Sequence, residues 1–272
     1  MNATNSPSGL QEDLQLALEL ADVADGMSMQ RRHEGGLAVE EKGDGSPVTD
    51  ADRAIERALR ERIEASRPGH AITGEEFGDS GDSDWRWFLD PIDGTTNYIS
   101  GGTTWLTLIA LALDGDPQVA VIAAPAAGHR WWAVRGQGAF RDGERLRVTS
   151  TASLHDATMT DDWRATLARG VPDHPLTRLA PSCGRVLPHA GHSFLRVAAS
   201  ELDLALGVGG FPWDYMPLKL LIEEAGGRFS DLTGDPSPAN RHALVSNGLL
   251  HAEALRAAGG PPSRFRSGPA PS

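Results

Sequence analysis

An apolar run at residues 85–89 ends in two carboxylates, Asp90 and Asp93, placed three positions apart. The run predicts a buried strand, so both acids are expected at one strand end. Gly94 and Thr95 follow, where backbone N–H groups would be free to face an anion. Carboxylates suit a hard metal ion and N–H groups suit a phosphate. This segment therefore predicts metal-assisted phosphate chemistry.

The charge of the chain limits its partners. Among 272 residues, Lys and Arg total 25 and Asp and Glu total 37, giving a net charge of −12. Such a surface repels nucleic-acid backbones and anionic membranes, so we expect neither as a partner. It also repels anionic substrates. A phosphate site here therefore needs local positive charge, which bound metal supplies most simply.

Cysteine content and hydropathy predict a cytoplasmic location. Cys183 is the only cysteine, so no internal disulfide is possible, and we interpret it as structural rather than catalytic. No apolar run approaches the ~20 residues of a membrane span. The first nine residues lack the basic start and apolar core of a signal peptide.

The hydrophobic pattern predicts two layered halves of α and β structure. Helices are predicted at 10–30 and from a Thr49 or Asp50 cap through 65, with strands at 70–73, 85–90, 105–113, 118–124 and 129–135. Later come helices at 193–200, 214–225 and 248–258 and strands at 203–208 and 228–230. Residues 151–188 show only weak periodicity.

These elements predict an N-terminal α+β half at 10–149 and a C-terminal α/β half at 150–258 that completes the site. The hairpin signals in the first half favour a largely antiparallel sheet backed by two helices. Residues 1–9 and 259–272 are rich in Pro, Gly and Ser and are predicted to be disordered tails.

Four acids lie at the predicted ends of elements: Glu75, Asp90, Asp93 and Asp214. If the fold gathers them within ~5 Å, each pair would repel by about 3 kcal/mol at an effective dielectric of ~20. Such a cluster needs a cation, and carboxylates with the Ile92 carbonyl match Mg²⁺. Taken singly, each acid could instead cap a helix or end a solvated loop.

Asp50 and Thr95 form a second predicted pair. A threonine hydroxyl beside the metal could orient a water if Asp50 accepted its proton. Asp50 could equally cap the second helix beside Thr49. The backbone N–H groups of Gly94 and Thr95 would seat the phosphate.

Four motifs in this order resemble the inositol monophosphatase family, which includes histidinol-phosphate phosphatases and bisphosphate nucleotidases. They are Glu75-Glu76, residues 90–95, Trp213-Asp214, and Gly226-Gly227 after eleven intervening residues. The resemblance covers roughly residues 10–258. Within the family, the segments 105–113 and 130–140 look most like bacterial histidinol-phosphatases.

The resemblance implies a five-layer αβαβα sandwich and a Mg²⁺-dependent phosphomonoesterase with two or three ions, and we expect a homodimer. It implies that the metals are held by Glu75, Asp90, the Ile92 carbonyl, Asp93 and Asp214. It further implies that Thr95 with Asp50 and Glu75 activates the water, and that Gly94 and Thr95 bind the phosphate.

Substrate contacts are where the chain departs from the family. Gly207 stands seven residues before Asp214, where relatives usually carry a Glu that grips a substrate hydroxyl or amine. His192 stands where histidinol-phosphatases tend to have Asp and inositol enzymes Ser; it could contact a hydroxyl or a second anion, or simply pack. Glu201 or Asp203 could supply the carboxylate instead. The predicted substrate contacts are Asp93, His192 and Gly207.

The function predicted from these features is hydrolysis of a small polar phosphate ester, namely histidinol phosphate or an inositol, other cyclitol or sugar phosphate. A 3′-nucleotide bisphosphate phosphatase is one alternative. A non-catalytic relative that binds metal or phosphate is another, although the complete set of acids and Thr95 argues against it.

Overall fold

The computed structural model describes residues 7–43, 45–161, 174–188 and 191–259. The chain divides into two compact units, the first ending at Gln137 and the second beginning at Gly138. The predicted boundary near residue 150 therefore lies farther along the chain than this division. Of the predicted tails, residues 1–6 and 260–272 lie outside the described residues, whereas residues 7–9 are helical.

The described part of the first unit contains three helices: α1 (Pro7–Glu34), α2 (Asp50–Ser66) and α3 (Thr95–Ile99). A capping box starts α2, because the Thr49 hydroxyl accepts the Asp52 N–H while the Asp52 carboxylate accepts the Thr49 N–H. Apolar side chains recur along one face of α2 and are fully buried. The predicted second helix is confirmed.

The strands of the first unit form a hairpin and a larger sheet. The hairpin pairs β1 (Val39–Glu41) with β2 (Pro47–Thr49). The sheet strands are β3 (Ala71–Gly74), β4 (Gly78–Ser80), β5 (Trp85–Asp93), β6 (Leu106–Leu113), β7 (Asp116–Ala124) and β8 (His129–Val134). Within the unit they lie in the order β8-β7-β6-β5-β3-β4. Side chains of α1 and α2 pack with the sheet in one apolar core.

One parallel pair interrupts this otherwise antiparallel arrangement. β3 runs parallel to β5, and the pairing continues past β3, where the Glu75 N–H donates to the Leu89 carbonyl at 3.1 Å. The carboxyl ends of parallel strands meet at one edge of a sheet. Glu75 and Asp90 are thereby brought to the same edge.

The second unit contains a short hairpin and a mixed sheet. The hairpin pairs β9 (Gly138–Arg141) with β10 (Glu144–Arg145). The sheet strands are β11 (Thr158–Asp161), β12 (Arg185–Leu187), β13 (Leu204–Val208), β14 (Arg228–Ser230) and β15 (His242–Ser246). They lie in the order β12-β11-β13-β15-β14, with β11 parallel to both of its neighbours and the other pairs antiparallel.

Among its described residues, the second unit has helices α4 (Pro175–Leu179), α5 (Ser193–Ala198), α6 (Pro212–Glu224) and α7 (His251–Ala258), with 3₁₀ turns at Leu154–Asp156 and Ala180–Ser182. The imidazole of His251 is buried, with its two nitrogens at 2.8 and 2.9 Å from serine hydroxyls. The predicted mixed α/β organisation is confirmed. Among the described residues, no helix is both long and apolar enough to cross a bilayer.

Candidate active site

Three predicted metal ligands lie at the shared edge of β3 and β5. Asp90 is only 2% exposed, and its Oδ1 accepts the Ile92 N–H at 3.0 Å. One carboxylate oxygen of Asp90 and one of Asp93 lie within 4.8 Å of each other. Glu75 leaves the neighbouring strand end. All of these donors are oxygens, so they fit a hard cation such as Mg²⁺.

A β-bulge produces this spacing of acids. Asp90 pairs with Leu108 and Asp93 with Leu106, so one extra residue of β5 is accommodated between the two pairs. The buried Thr107 hydroxyl donates to the Pro91 carbonyl at 2.8 Å and fixes the bulge. Bulges re-aim side chains and are frequent beside active sites.

Gly94 links the bulge to helix α3. Its φ of 86° lies in the left-handed region, and a Cβ there would stand 3.3 Å from the Thr104 carbonyl oxygen. Glycine is therefore the residue that fits. The Thr95 N–H belongs to the first turn of α3, where no carbonyl within the helix can accept it. This arrangement suits a phosphate oxygen.

Thr95 contacts Asp52 rather than Asp50. Its hydroxyl lies 3.1 Å from the Ile92 carbonyl and 3.4 Å from the Asp52 carboxylate. Asp50 instead accepts two hydrogen bonds from the Arg31 guanidinium, at 2.8 and 3.0 Å. The predicted contact between Asp50 and Thr95 is therefore wrong. Residues two positions apart in the first turn of a helix point in different directions, and only Asp52 turns inward.

Burial raises the pKa of the Asp52 carboxylate above its ordinary value, because the residue is only 1% exposed. The Thr49 hydroxyl at 2.5 Å and the Thr49 N–H at 2.9 Å act in the opposite direction. The capping-box spacing of Thr49 and Asp52 was the sequence signal that could have identified this residue.

Lys42, between β1 and β2, is a site residue that sequence reasoning missed. Its ammonium lies 2.8 Å from Glu75 Oε1 and 2.5 Å from Glu76 Oε1. Burial raises the pKa of Glu76 to about 7, although Lys42 acts to lower it. Burial also works against the charge on Lys42, but the two glutamates hold the pKa of Lys42 above its usual range. The positive charge of Lys42 thus offsets the negative charges of Glu75 and Glu76 at the candidate site.

A buried carboxylate fixes the turn that carries Glu75 and Glu76. Glu56 of α2 accepts the Glu76 N–H at 2.7 Å and the Phe77 N–H at 3.2 Å, and it pairs with Arg60 at 2.8 Å. A Cβ at Gly74 would clash with this carboxylate, so glycine is required there. The backbone that follows Glu75 is therefore held by the Glu56 carboxylate, and Gly74 before it leaves room for that carboxylate.

Asp214 lies in the first turn of α6 in the second unit. Its Oδ2 accepts the Phe211 N–H at 2.7 Å, which fixes the carboxylate at the helix start. Phe211 stacks on Trp213 with ring centroids 4.8 Å apart, and the Arg241 guanidinium lies 4.0 Å from the Phe211 ring centre. The predicted helix at residues 214–225 is confirmed, but it begins two residues earlier, at Pro212.

Packing explains the glycine at position 207. A Cβ on Gly207, in β13, would stand 2.9 Å from Phe194 Cζ and 3.3 Å from the Tyr215 hydroxyl oxygen. A glutamate would have to displace these rings. His192 precedes α5 with a φ of 50°, a left-handed conformation unusual for a residue with a side chain.

The two alternative acids are engaged elsewhere. The Asp203 carboxylate accepts the Thr149 hydroxyl and the Thr158 N–H, at 2.5 and 2.6 Å. Glu201 pairs with Arg196 at 3.1 Å. These contacts disfavour both acids as substitutes for a residue 207 carboxylate.

Comparison with known proteins identifies the family. The model of the inositol monophosphatase family matches residues 10–260. The chain is 41% identical to a histidinol-phosphatase of Mycobacterium tuberculosis, over 90% of this chain and 96% of that protein. The chain belongs to the inositol monophosphatase family. A histidinol-phosphatase of Streptomyces coelicolor is 38% identical, with the same coverage.

Solved structures of the inositol monophosphatase family share the fold. An inositol monophosphatase from Zymomonas mobilis superposes with a TM-score of 0.80 at 29% identity, covering 95% of this chain and all of that one. The family and fold predicted from the motifs are thereby confirmed. The protein is a phosphoric monoester hydrolase of this family.

Proposed function

We propose that the protein hydrolyses a small polar phosphate monoester with Mg²⁺ as its cofactor. The observation that carries this proposal is the bulged end of β5, where oxygens of Asp90 and Asp93 approach within 4.8 Å. Two carboxylates so close on an acidic chain repel each other, and a divalent cation would offset that repulsion.

The proposed ligands of the metal are Glu75, Asp90, the Ile92 carbonyl, Asp93 and Asp214. Mg²⁺ held by them would polarise the phosphoryl group and lower the pKa of the attacking water. Family membership supports including Asp214, whose carboxylate is fixed at the start of α6. Two or three ions are proposed from the same resemblance.

Asp52 takes the role that the sequence had suggested for Asp50. The Thr95 hydroxyl has two acceptors, the Ile92 carbonyl and the Asp52 carboxylate. When the Ile92 carbonyl serves as a metal ligand, Asp52 is the acceptor that remains for the Thr95 hydrogen. The oxygen lone pairs of Thr95 then face a water, and Glu75 supplies a further acceptor for its protons.

The turn into α3 is proposed to hold the phosphate. The N–H groups of Gly94 and Thr95 follow the bulge directly, and both can donate to phosphate oxygens. A site with several acids needs positive potential to bind a phosphate, and these N–H groups supply it without a basic side chain.

Histidinol phosphate is the first substrate that we propose, because two relatives sharing 41% and 38% identity are histidinol-phosphatases. Inositol 1-phosphate is the comparison substrate. His192 and Gly207 are proposed to border the alcohol portion, together with Asp93. We further propose a cytoplasmic homodimer, to be checked by light scattering coupled to size-exclusion chromatography.

Phosphate release from both esters, with and without Mg²⁺, tests the proposal. Chelation should abolish turnover and added Mg²⁺ should restore it. Asp52→Asn should lower kcat on the order of 10²-fold or more, because Thr95 would lose the carboxylate that accepts its hydrogen and turns its oxygen toward the reacting water. Asp50→Asn is the matched control and should change kcat by less than about twofold, because Asp50 is engaged in a partly exposed ion pair with Arg31 and not with Thr95.

Two results would contradict these assignments. Full turnover in metal-free buffer would exclude the Mg²⁺ mechanism. A larger kcat loss in Asp50→Asn than in Asp52→Asn would return the water-orienting role to Asp50, provided that both variants give the circular dichroism spectrum of the wild type.

A further inference from the structure

Tyr215 occupies a slot formed by two glycines. A Cβ at Gly207 would meet the Tyr215 hydroxyl oxygen at 3.3 Å, and a Cβ at Gly210 would clash with the ring itself. The ring also stacks on Phe194, with centroids 6.2 Å apart, and meets Phe229 edge-on at 5.8 Å. The aromatic ring is therefore confined on several sides.

The hydroxyl group of Tyr215 reaches the loop before α6. It accepts the buried N–H of Gly210 at 3.2 Å. On the same loop, the Arg241 guanidinium donates to the Gly209 carbonyl at 3.1 Å and stacks on Phe211. Phe211 in turn donates its N–H to Asp214. A chain of contacts thus leads from the Tyr215 hydroxyl to the Asp214 carboxylate.

The orientation of the Asp214 carboxylate depends on the position of the Phe211 N–H, which donates to it. Phe211 follows Gly210 directly. Two consecutive glycines give the loop much freedom, so its backbone needs outside support. Tyr215 supplies that support at Gly210, and Arg241 supplies it at Gly209.

We propose that Tyr215 is a positioning residue that holds the loop at residues 209–211, and through it the Asp214 carboxylate, in the orientation that binds Mg²⁺. This inference rests on the proposed function, because it takes Asp214 as a metal ligand. Tyr215 does not touch the substrate in this assignment; it is 5% exposed and lies among aromatic rings.

The test is calorimetric titration of the full-length protein with Mg²⁺, comparing wild type with Tyr215→Phe. Removing only the hydroxyl leaves the Gly210 N–H without its acceptor. We expect the Kd for Mg²⁺ to rise about five- to tenfold, the effect of losing one buried hydrogen bond. The kcat measured at saturating Mg²⁺ should return to near the wild-type value.

Thr160→Val is the matched control, because it deletes a buried hydroxyl from β11 of the same unit. It should lower the denaturation midpoint about as much as Tyr215→Phe while leaving the Kd for Mg²⁺ unchanged. Equal Mg²⁺ affinity in wild type and Tyr215→Phe would overturn the positioning role, leaving only a packing role.

Asp93→Asn separates this failure from a failure of the proposed function. If Asp93→Asn weakens Mg²⁺ binding but Tyr215→Phe does not, the metal site stands and the positioning role is refuted. If the wild type itself gives no Mg²⁺ binding, the proposed function is overturned, and the role of Tyr215 with it.

Discussion

Replacing Lys42 with methionine should destabilise the protein yet strengthen its binding of Mg²⁺. The ammonium lies between Glu75 and Glu76, and the Glu76 side chain is only 3% exposed. Breaking a buried ion pair by removing one partner costs about 3–5 kcal/mol. The lysine is itself 21% exposed, and Glu76 can take up a proton, so we expect a loss of about 2 kcal/mol at pH 8.

The sign of the pH dependence follows from Glu76. Burial raises its folded pKa to about 7, above the ordinary value of 4.5, so the folded state binds more protons than the unfolded state between these values. Such a group lowers stability as pH rises through that window. Without Lys42 the folded pKa rises further. The stability difference between wild type and Lys42→Met should therefore grow as pH increases beyond about 7.

The effect on Mg²⁺ has the opposite sign. At about 5 Å, a unit positive charge repels a divalent cation by roughly 2 kcal/mol even at the bulk-water dielectric of about 80, which is a lower bound for a partly buried site. Removing the ammonium beside Glu75 should therefore lower the Kd for Mg²⁺ by at least about tenfold. Urea denaturation with a chelator measures the first effect, and calorimetric titration with Mg²⁺ measures the second.

Arg53→Met is the matched control for Lys42→Met. Arg53 pairs with Glu40 at 2.8 Å, but the two side chains are 40% and 63% exposed. Exposed pairs contribute about 0–1 kcal/mol, so stability and Mg²⁺ affinity should hardly change. Weaker Mg²⁺ binding in Lys42→Met would refute this reasoning and would show that the lysine orders Glu75 for the metal instead of competing with it.

Three further outcomes are expected. Asp93→Asn should lower kcat on the order of 10²-fold with little loss of stability, measured by steady-state kinetics and urea denaturation, because one charge leaves the proposed metal shell. Gly207→Glu should cost about 1–3 kcal/mol in urea, because its Cβ alone would stand 2.9 Å from Phe194. Burial lowers the pKa of His251 to about 4 from 6.5, so its contribution of about 3 kcal/mol should be present above pH 6.5 and be lost toward pH 4. The fall in the urea midpoint between pH 6.5 and pH 4 that is due to His251 should disappear in His251→Asn. If the variant and the wild type give the same pH profile, His251 makes no such contribution.

Local sequence signals predicted the elements that carry the site. The apolar run at residues 85–89 and the polar segment after it predict the end of β5, and a cap at Thr49 or Asp50 predicts the start of α2. Each signal is contained within about ten residues, where periodicity and turn chemistry determine structure. The positions of Glu75, Asp90 and Asp93 at the ends of strands could therefore be predicted from the sequence.

Contacts between distant segments could not be predicted in this way. β15 was not predicted, because its five residues are buried on both faces and show no alternation. The pair of Lys42 with Glu75 joins residues 33 positions apart, and no spacing rule indicates it. Asp52 is a different case, since its signal was present but was assigned to Asp50, its neighbour on α2.

Position 207 shows why a missing side chain should be interpreted together with its neighbours. From the sequence alone, Gly207 lacks the carboxylate that relatives carry at this position, and a glutamate there should restore a substrate contact. In the structure, the space beside Gly207 is filled by Phe194 and Tyr215, so glycine and tyrosine depend on each other. Tyr215 also holds the loop that precedes Asp214. A single change at 207 would therefore disturb the support of a proposed metal ligand before it could add a contact to the substrate.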